Sequence, residues 1–492
     1  MYMYMLRTST NDWARLPTQK TLETPLFQDH LIRSRMDSPS VQFVSDFFIQ
    51  PRHAVEESKK PIYLPPWDLA MLSVHYIQKG HLFAKPQEAY TQKDFMQSFL
   101  DKLKESLALA LVHFYLLAGR FKTVKSNDPH FYTICIDCLN SPGARFIQAT
   151  LDMTVSEILS PVYVPPVIQS FFDHDRVVNH DGHTKSLLSI QVTELVDGVF
   201  IGCSFNHVLG DGTSFWNFFN AWSEIFKARE KGSYNNAISR PPVLRRWFPE
   251  GCEIPINLPF SDPSEFVFPY EAPVLKERVF HFSAETTARL KTQVNGECET
   301  KGKGDEISSF KALTALVWRC IIRASRFPDD QVTSCRMAAN NRRRMCPPGL
   351  PPDYFGNCIT AVTTYTTTGE LLGGGLGAAA WLLHVAVAEH DGEKINEWHR
   401  EWLRKPAIYN LRYFDPYSVM MGSSPRFTKY GPEFGLGKAV ALRSGYAHKF
   451  DGKVSAYPGW EGGGSVDLEF CLPPETMAAL EADNEFMAAV AV

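Results

Sequence analysis

The segment Phe205-Asn206-His207-Val208-Leu209-Gly210-Asp211-Gly212-Thr213-Ser214-Phe215-Trp216 constrains this chain most, because it sets a histidine and an acid in a glycine-flanked turn. Upstream, residues 187–195 are β-prone with apolar Leu188, Ile190 and Val192. Val196-Asp197-Gly198 then supplies a turn and residues 199–205 alternate again, which predicts a hairpin. Downstream, Phe215, Phe218, Phe219, Trp222 and Ile225 keep helical spacing, with Thr213 or Ser214 expected as the N-cap. His207 therefore falls between a strand end and a helix, where a side chain is held firmly and still reaches a cavity.

A neutral imidazole suits removal of a proton from an attacking hydroxyl or amine, an assistance worth roughly 10²–10⁴-fold in rate. Asp211 either orients that imidazole or braces the loop, and Gly210 and Gly212, by permitting tight backbone geometry, favour bracing. Shared metal ligation needs both side chains on one helical face and a third ligand. The glycines oppose the first and the neighbourhood lacks the second. His174, His180, Asp181 and His183 look like metal ligands but fall in a polar loop, so no metal is expected. Gly373-Gly374-Gly375 and Gly462-Gly463-Gly464 are followed by neither Lys-Ser nor Lys-Thr and read as loops rather than phosphate cradles.

The remaining chain sets bounds on the class. It has 492 residues, 44% hydrophobic and 13% aromatic, enough for two sizeable cores. Fifty Lys and Arg stand against 54 Asp and Glu with no basic stripe, which argues against nucleic acid as a partner. No stretch reaches the 18 or so apolar residues of a membrane span. The nearest, 376–388, is alanine-rich and reads as a buried helix. Ten scattered cysteines without a signal peptide point to reduced thiols and a cytoplasmic protein. The close pair Cys135 and Cys138 lies in a β-prone run and lacks a second CxxC.

Residues 1–35 lack an apolar core or clear periodicity and are expected to be a disordered extension. Residues 36–230 form an N-terminal domain carrying the His207 block, beginning with a strand over 41–49 and a helix over 94–114. Residues 231–273, rich in proline, form a linker. Residues 274–492 form a second domain, opening with a strand at 277–282 and a helix around 307–322.

Several further stretches surround the His207 block: Leu64-Pro65-Pro66-Trp67-Asp68-Leu69, Leu117-Ala118-Gly119-Arg120, Ala315-Leu316-Val317-Trp318-Arg319, Asn341-Arg342-Arg343-Arg344, Tyr354-Phe355-Gly356-Asn357 and Glu433-Phe434-Gly435-Leu436-Gly437. With HxxxD-Gly they make the chain resemble the plant BAHD acyltransferases, acyl-CoA-dependent O- and N-acyltransferases of specialised metabolism, from residue 36 to the C-terminus. The resemblance implies a mixed α/β fold of two chloramphenicol-acetyltransferase-like domains with a channel at their interface. It implies acyl-CoA as co-substrate rather than a resident cofactor, a small-molecule alcohol or amine as acceptor, and a monomer. It makes His207 the general base and pairs Asp211 with an arginine, for which Arg342 is the choice. It places Ser308 and Lys311 where acyl-CoA is contacted, the lysine suiting its phosphates.

There are departures. The family's late motif is usually Asp-Phe-Gly-Trp-Gly, and Glu433 and Leu436 replace its acid and its tryptophan. The longer acid is expected to shift a salt bridge to a loop arginine. Gly435 and Gly437, kept, are expected where backbone passes closely. Leu116 stands where proline usually precedes Leu-Ala-Gly-Arg. The implied reaction is direct attack of the acceptor on the thioester without an acyl-enzyme, with Ser423 a further group to consider near the carbonyl. Three rivals exist: a peptide-synthetase condensation domain, which usually doubles the histidine where this chain has Asn206; a relative turned to lyase-like chemistry; and a catalytically idle binding protein.

Overall fold

The hairpin that carries His207 lies inside a six-stranded sheet. In the computed structural model, which describes residues 39–490 apart from 233–237, 301, 303, 346–348 and 448, fifteen strands are present among the described residues. They are β1 (Gln42–Ile49), β2 (Ile62–Tyr63), β3 (Ile77–Ala84), β4 (Arg120–Asn127), β5 (His130–Asp137), β6 (Ala144–Thr150), β7 (Leu188–Glu194) and β8 (Gly198–Phe205). There follow β9 (Lys276–Phe282), β10 (Val332–Asn340), β11 (Ile359–Thr367), β12 (Ser418–Gly422), β13 (Ala441–Ser444), β14 (Lys453–Pro458) and β15 (Val466–Leu472).

The first large sheet runs β1-β6-β7-β8-β3-β13 and the second β11-β10-β12-β14-β15-β9, while β2-β5-β4 form a small third sheet. The β7–β8 hairpin is antiparallel, with Leu188 opposite Phe205, and β8 is antiparallel to β3, with Ile77 opposite Phe205. β13 comes from the second half of the chain yet completes the first sheet against β3. The two halves are thus interlocked by main-chain hydrogen bonds.

Two helices back the first sheet, α1 (Phe95–His113) and α2 (Gly212–Glu230). Phe215, Phe218, Phe219, Trp222 and Ile225 of α2 are buried as their spacing predicts, and Trp222 Nε1 donates to Ser106 Oγ of α1 at 3.0 Å. The second sheet is backed by α3 (Ala284–Glu299), α4 (Ser309–Ser325) and α5 (Gly375–Ala388), whose apolar faces form a core of their own around Trp318, Leu316 and Phe470. A further helix, α6 (Gly392–Arg404), turns Trp402 onto the first core.

Residues 238–273 of the proline-rich stretch are not a loose tether. Ile256, Leu258 and Phe266 are buried in the first core, and Val243 bridges to Tyr354. The chain divides into compact units Met1–Ser40 and Val41–Val492. All but residues 39 and 40 of the first unit, and with them the expected extension 1–35, lie outside the described residues. No described helix is long and apolar enough to cross a membrane.

Candidate active site

β8 ends at Phe205, and the chain then makes a tight turn before α2 begins at Gly212. The N-cap of α2 is Asp211 rather than Thr213 or Ser214. Its Oδ1 accepts from the backbone amides of Thr213 at 3.0 Å and Ser214 at 3.2 Å, satisfying donors that a helix start leaves unpaired. The same fully buried carboxylate meets Arg342 in a two-pronged pair, Oδ2 to Nη1 at 2.7 Å and Oδ1 to Nη2 at 3.0 Å, and Oδ2 accepts from the Cys358 amide at 3.1 Å. Asp211 is thus engaged by backbone and a guanidinium, not by the imidazole. Burial alone would lower the basicity of Arg342, but Asp211 beside it more than offsets that and keeps it charged.

Arg342 also donates to the carbonyls of Tyr354 at 3.0 Å and Gly356 at 3.0 Å, which pins the loop leading to Asn357. That loop reaches the histidine. Asn357 Nδ2 donates to Asp68 Oδ1 at 2.9 Å, to the His207 carbonyl at 2.7 Å and to the Val208 carbonyl at 3.3 Å. All three are acceptors only, so the amide's orientation is fixed by chemistry: Oδ1 must be the atom 3.1 Å from His207 Nδ1. An amide oxygen can only accept. Nδ1 therefore carries the hydrogen and Nε2 the lone pair.

Asp68 lies in the single turn Pro66–Leu69, fully buried, where it also accepts from the Asn357 backbone amide at 2.9 Å and faces Arg246 at 3.3 Å. Burial raises its pKa against the pull of Arg246. Arg246, from the 231–273 stretch, donates to the carbonyls of Leu209 at 3.1 Å and Phe355 at 2.7 Å and so bridges the His207 turn to the Asn357 loop. On the other side Asn179 Oδ1 accepts from the His207 amide at 2.8 Å while its Nδ2 holds the Met71 carbonyl at 2.8 Å. Asn179 belongs to the short 3₁₀ turn Asn179–His183, which holds two of the histidines considered as metal ligands. His183 instead approaches Thr123 Oγ1 at 2.7 Å, and His174 the Ser186 carbonyl at 3.0 Å. No group of three or more described His, Cys, Asp and Glu side chains is placed to hold a metal ion.

The half-buried ring of His207 has its pKa lowered, chiefly by burial, with Lys453 adding to the shift and Asp211 and Asn357 opposing it. It is neutral at pH 7.

The late motif packs behind the site. Phe434, fully buried with φ +47°, sets its ring against Trp222 at 4.6 Å and Phe219 at 5.5 Å on α2. Glu433 pairs with Lys227 of α2 at 2.5 Å, not with a loop arginine, because the motif runs along that helix. Gly435 fits a close approach, since a Cβ there would stand 2.7 Å from the Glu230 carboxylate. Gly437 does not: a Cβ would meet nothing within 4 Å, and its φ of +83° is what calls for glycine.

Ser308 and Lys311 sit apart from this constellation. Ser308 is the N-cap of α4, accepting from the Lys311 amide at 3.5 Å, and Lys311 Nζ donates to His384 Nδ1 at 3.2 Å. Burial and the nearby Arg344 lower the lysine's pKa. Arg344 holds the Val387 carbonyl in the last turn of α5 at 2.8 Å and the His390 carbonyl just beyond it at 2.7 Å. A single segment, 341–344, thus sends one arginine to Asp211 and another toward the α4 N-terminus, where the helix and two cations favour an anion.

The sequence offers Asp68 as the cap of a short element, a place that Pro65 takes, and Asn357 as part of a motif, and it marks neither Asn179 nor Arg246 for a role. The available signal was polar residues inside otherwise apolar or proline-rich runs.

Comparison with known proteins agrees with this architecture. The Transferase family model matches residues 39–487. An uncharacterised acetyltransferase of Arabidopsis thaliana is 36% identical, aligned over 91% of this chain and 98% of its own. The BAHD acyltransferase DCR of the same plant is 31% identical, over 91% and 92%. TRI101 of F. sporotrichioides, solved with coenzyme A and T-2, shares the fold with a TM-score of 0.65 at 18% identity, covering 88% of this chain and 99% of that one. The chain belongs to the BAHD acyltransferase family, and its mixed α/β fold is the two-domain, chloramphenicol-acetyltransferase-like fold of that family.

Proposed function

We propose that this acyltransferase moves an acyl group from acyl-CoA to a hydroxyl or amine of a plant specialised metabolite, with His207 as general base. The observation that carries the reading is the contact between His207 Nδ1 and Asn357 Oδ1, which leaves Nε2 as the basic nitrogen on a neutral ring. Residues 36–230 and 274–492 are the two walls of the substrate channel, joined through 231–273. Nε2 takes the proton of the acceptor as its oxygen or nitrogen attacks the thioester carbon. The tetrahedral oxyanion then collapses, the C–S bond breaks, the proton held on Nε2 passes to the departing sulfur so that CoA leaves as thiol and the imidazole is neutral again, and no acyl-enzyme forms.

Ser423 is a donor for that oxyanion. It holds φ at +67°, and Lys429 Nζ donates to its Oγ at 2.7 Å, which directs the hydroxyl hydrogen away from the ammonium. Asp211 and Arg342 act as the brace that aims the turn. Ser308, Lys311 and Arg344 form the site for CoA phosphates, and TRI101, of the same fold, was solved with coenzyme A. The protein works as a cytoplasmic monomer without a resident cofactor.

The test is thiol release from a panel of acyl-CoAs and acceptors. Wild-type protein is expected to release CoA with at least one pair, and folded His207→Ala to lose about 10²–10⁴-fold of that rate. Unchanged turnover in His207→Ala would exclude the base.

A further inference from the structure

The face of the second sheet that looks toward β3 is polar and carries more positive than negative charge. Lys453, Ser455 and Tyr457 alternate along β14 on this face, while Val454 and Ala456 point into the second core. Glu469 and Cys471 of β15 stand opposite Ser455 and Lys453. Lys79 reaches in from β3, donating to Tyr457 Oη at 2.7 Å and Ser444 Oγ at 2.9 Å. Lys429 comes from the loop before the late motif, donating to Ser423 and to the Ala456 carbonyl at 2.6 Å. Lys449 pairs with Glu277 and lies 3.7 Å from Glu469.

Lys79, Lys429, Lys449 and Lys453 therefore face only Glu277 and Glu469. Arg443 adds a further cation that faces Glu469 first, and Asp467 is taken up chiefly by His281, so the positive excess stands. Three of the lysines have their ammonium groups held by protein acceptors. Among the described lysines of this face, Lys453 alone has neither a hydrogen bond nor a carboxylate partner; its ammonium stands over the Phe450 ring, 5.8 Å from the ring centre.

We infer that the ammonium of Lys453 is the receptor for a substrate carboxylate in the space shared with His207. The inference rests on the acyl-transfer reading and deepens it by naming an anionic substrate. A half-buried cation without a counter-charge is costly, and a protein that keeps one gains most when a ligand supplies the opposite charge. Burial pushes Lys453 down to about 8, which still leaves it protonated at pH 7, and its field reaches His207.

Space for the ammonium is made by Gly422, the last residue of β12, where a Cβ would stand 2.1 Å from Lys453 Nζ. Gly422 runs directly into Ser423, so the lysine lies beside the group proposed for the oxyanion. With the other lysines already engaged, one ammonium remains. That matches a monoanionic carboxylate better than a phosphate, for which the Lys311 and Arg344 cluster is built. The carboxylate is carried either by the acceptor, a hydroxy acid, or by the acyl group, a dicarboxylic acid joined to CoA at one end.

Binding calorimetry on the full chain separates these sources without requiring turnover. Succinyl-CoA is compared with butanoyl-CoA, and, with CoA present, mandelate and 6-hydroxyhexanoate with their methyl esters. Wild-type protein is expected to bind the charged member of the donor pair or of an acceptor pair at least tenfold more tightly, and the pair that shows this identifies the source. Lys453→Met should reduce the preference below threefold without changing affinity for the neutral members. Gly422→Ala, which keeps the charge but occupies its space, should also reduce it. Melting curves check that both variants are folded. Equal affinity within every pair, or a preference that survives Lys453→Met, overturns the proposal. CoA release from neutral pairs would in that event leave the acyl-transfer reading standing, and absence of release from every pair would overturn that reading separately.

Discussion

Two polar assemblies border His207, and they are built on opposite principles. On one side Asp211 and Asp68 are matched by Arg342 and Arg246, with Asn357 and backbone groups taking up further bonds. Charge is balanced, distances are short, and the groups are buried. On the other side the lysines of β3, β14 and the 423–437 loop outnumber the carboxylates they face. A balanced buried network fixes geometry and has nothing left to offer a ligand, whereas an unbalanced one is completed by something else. The histidine stands between the two.

Breaking the balanced side should have the largest effect. Asp211→Ala leaves Arg342 buried without its partner and removes the cap of α2, so denaturant unfolding should show a loss of about 3–5 kcal/mol. A loss below about 1 kcal/mol would mean that the pair is not a brace. Next in size, Asn357→Ala keeps the base but frees its ring. The expected result is a fall in kcat of about 10²-fold with KM little changed, because a misaligned group costs rate rather than binding.

Much of this balanced side was legible locally and little of it at long range. The hairpin, α2 and the histidine's place between them follow from periodicity within about thirty residues. Sequence points two or three residues beyond the true N-cap because Asp, Ser and Thr all favour that position, and only the Arg342 contact explains why the aspartate takes it. Asp68 and Asn357, separated by 289 residues, meet through tertiary folding alone. The four-residue strand β13 carries too short a pattern to reveal that it completes the first sheet. Gly437 reads from sequence as a close approach while its backbone conformation is the reason for glycine, a distinction that residue identity does not make. Lys453 reads as an ordinary strand lysine until its neighbours are known.

The pH dependence sharpens the contrast with a smaller effect. Only the neutral imidazole can accept a proton, and burial lowers its pKa, so the acid limb of kcat/KM should lie below 6.5 with a plateau by pH 7. Lys453→Met removes a cation that depresses the same ring, and should therefore move the limb upward, toward the ordinary histidine value. A limb above 6.5 in the wild type would contradict the assigned environment. Smallest of all, Glu433→Ala breaks a pair with Lys227 that is more than one-third exposed at both ends, and thermal unfolding should register no more than about 1 kcal/mol.

The central claim is that Asn357 fixes the His207 tautomer with hydrogen on Nδ1 and the lone pair on Nε2. Nitrogen chemical shifts of the imidazoles in protein labelled with ¹⁵N-histidine, assigned by difference against His207→Ala at pH 7.5, test it directly. A protonated Nδ1 and an unprotonated Nε2 at His207, changing in Asn357→Ala, are the predicted result. A protonated Nε2, or a doubly protonated ring at that pH, would contradict the account.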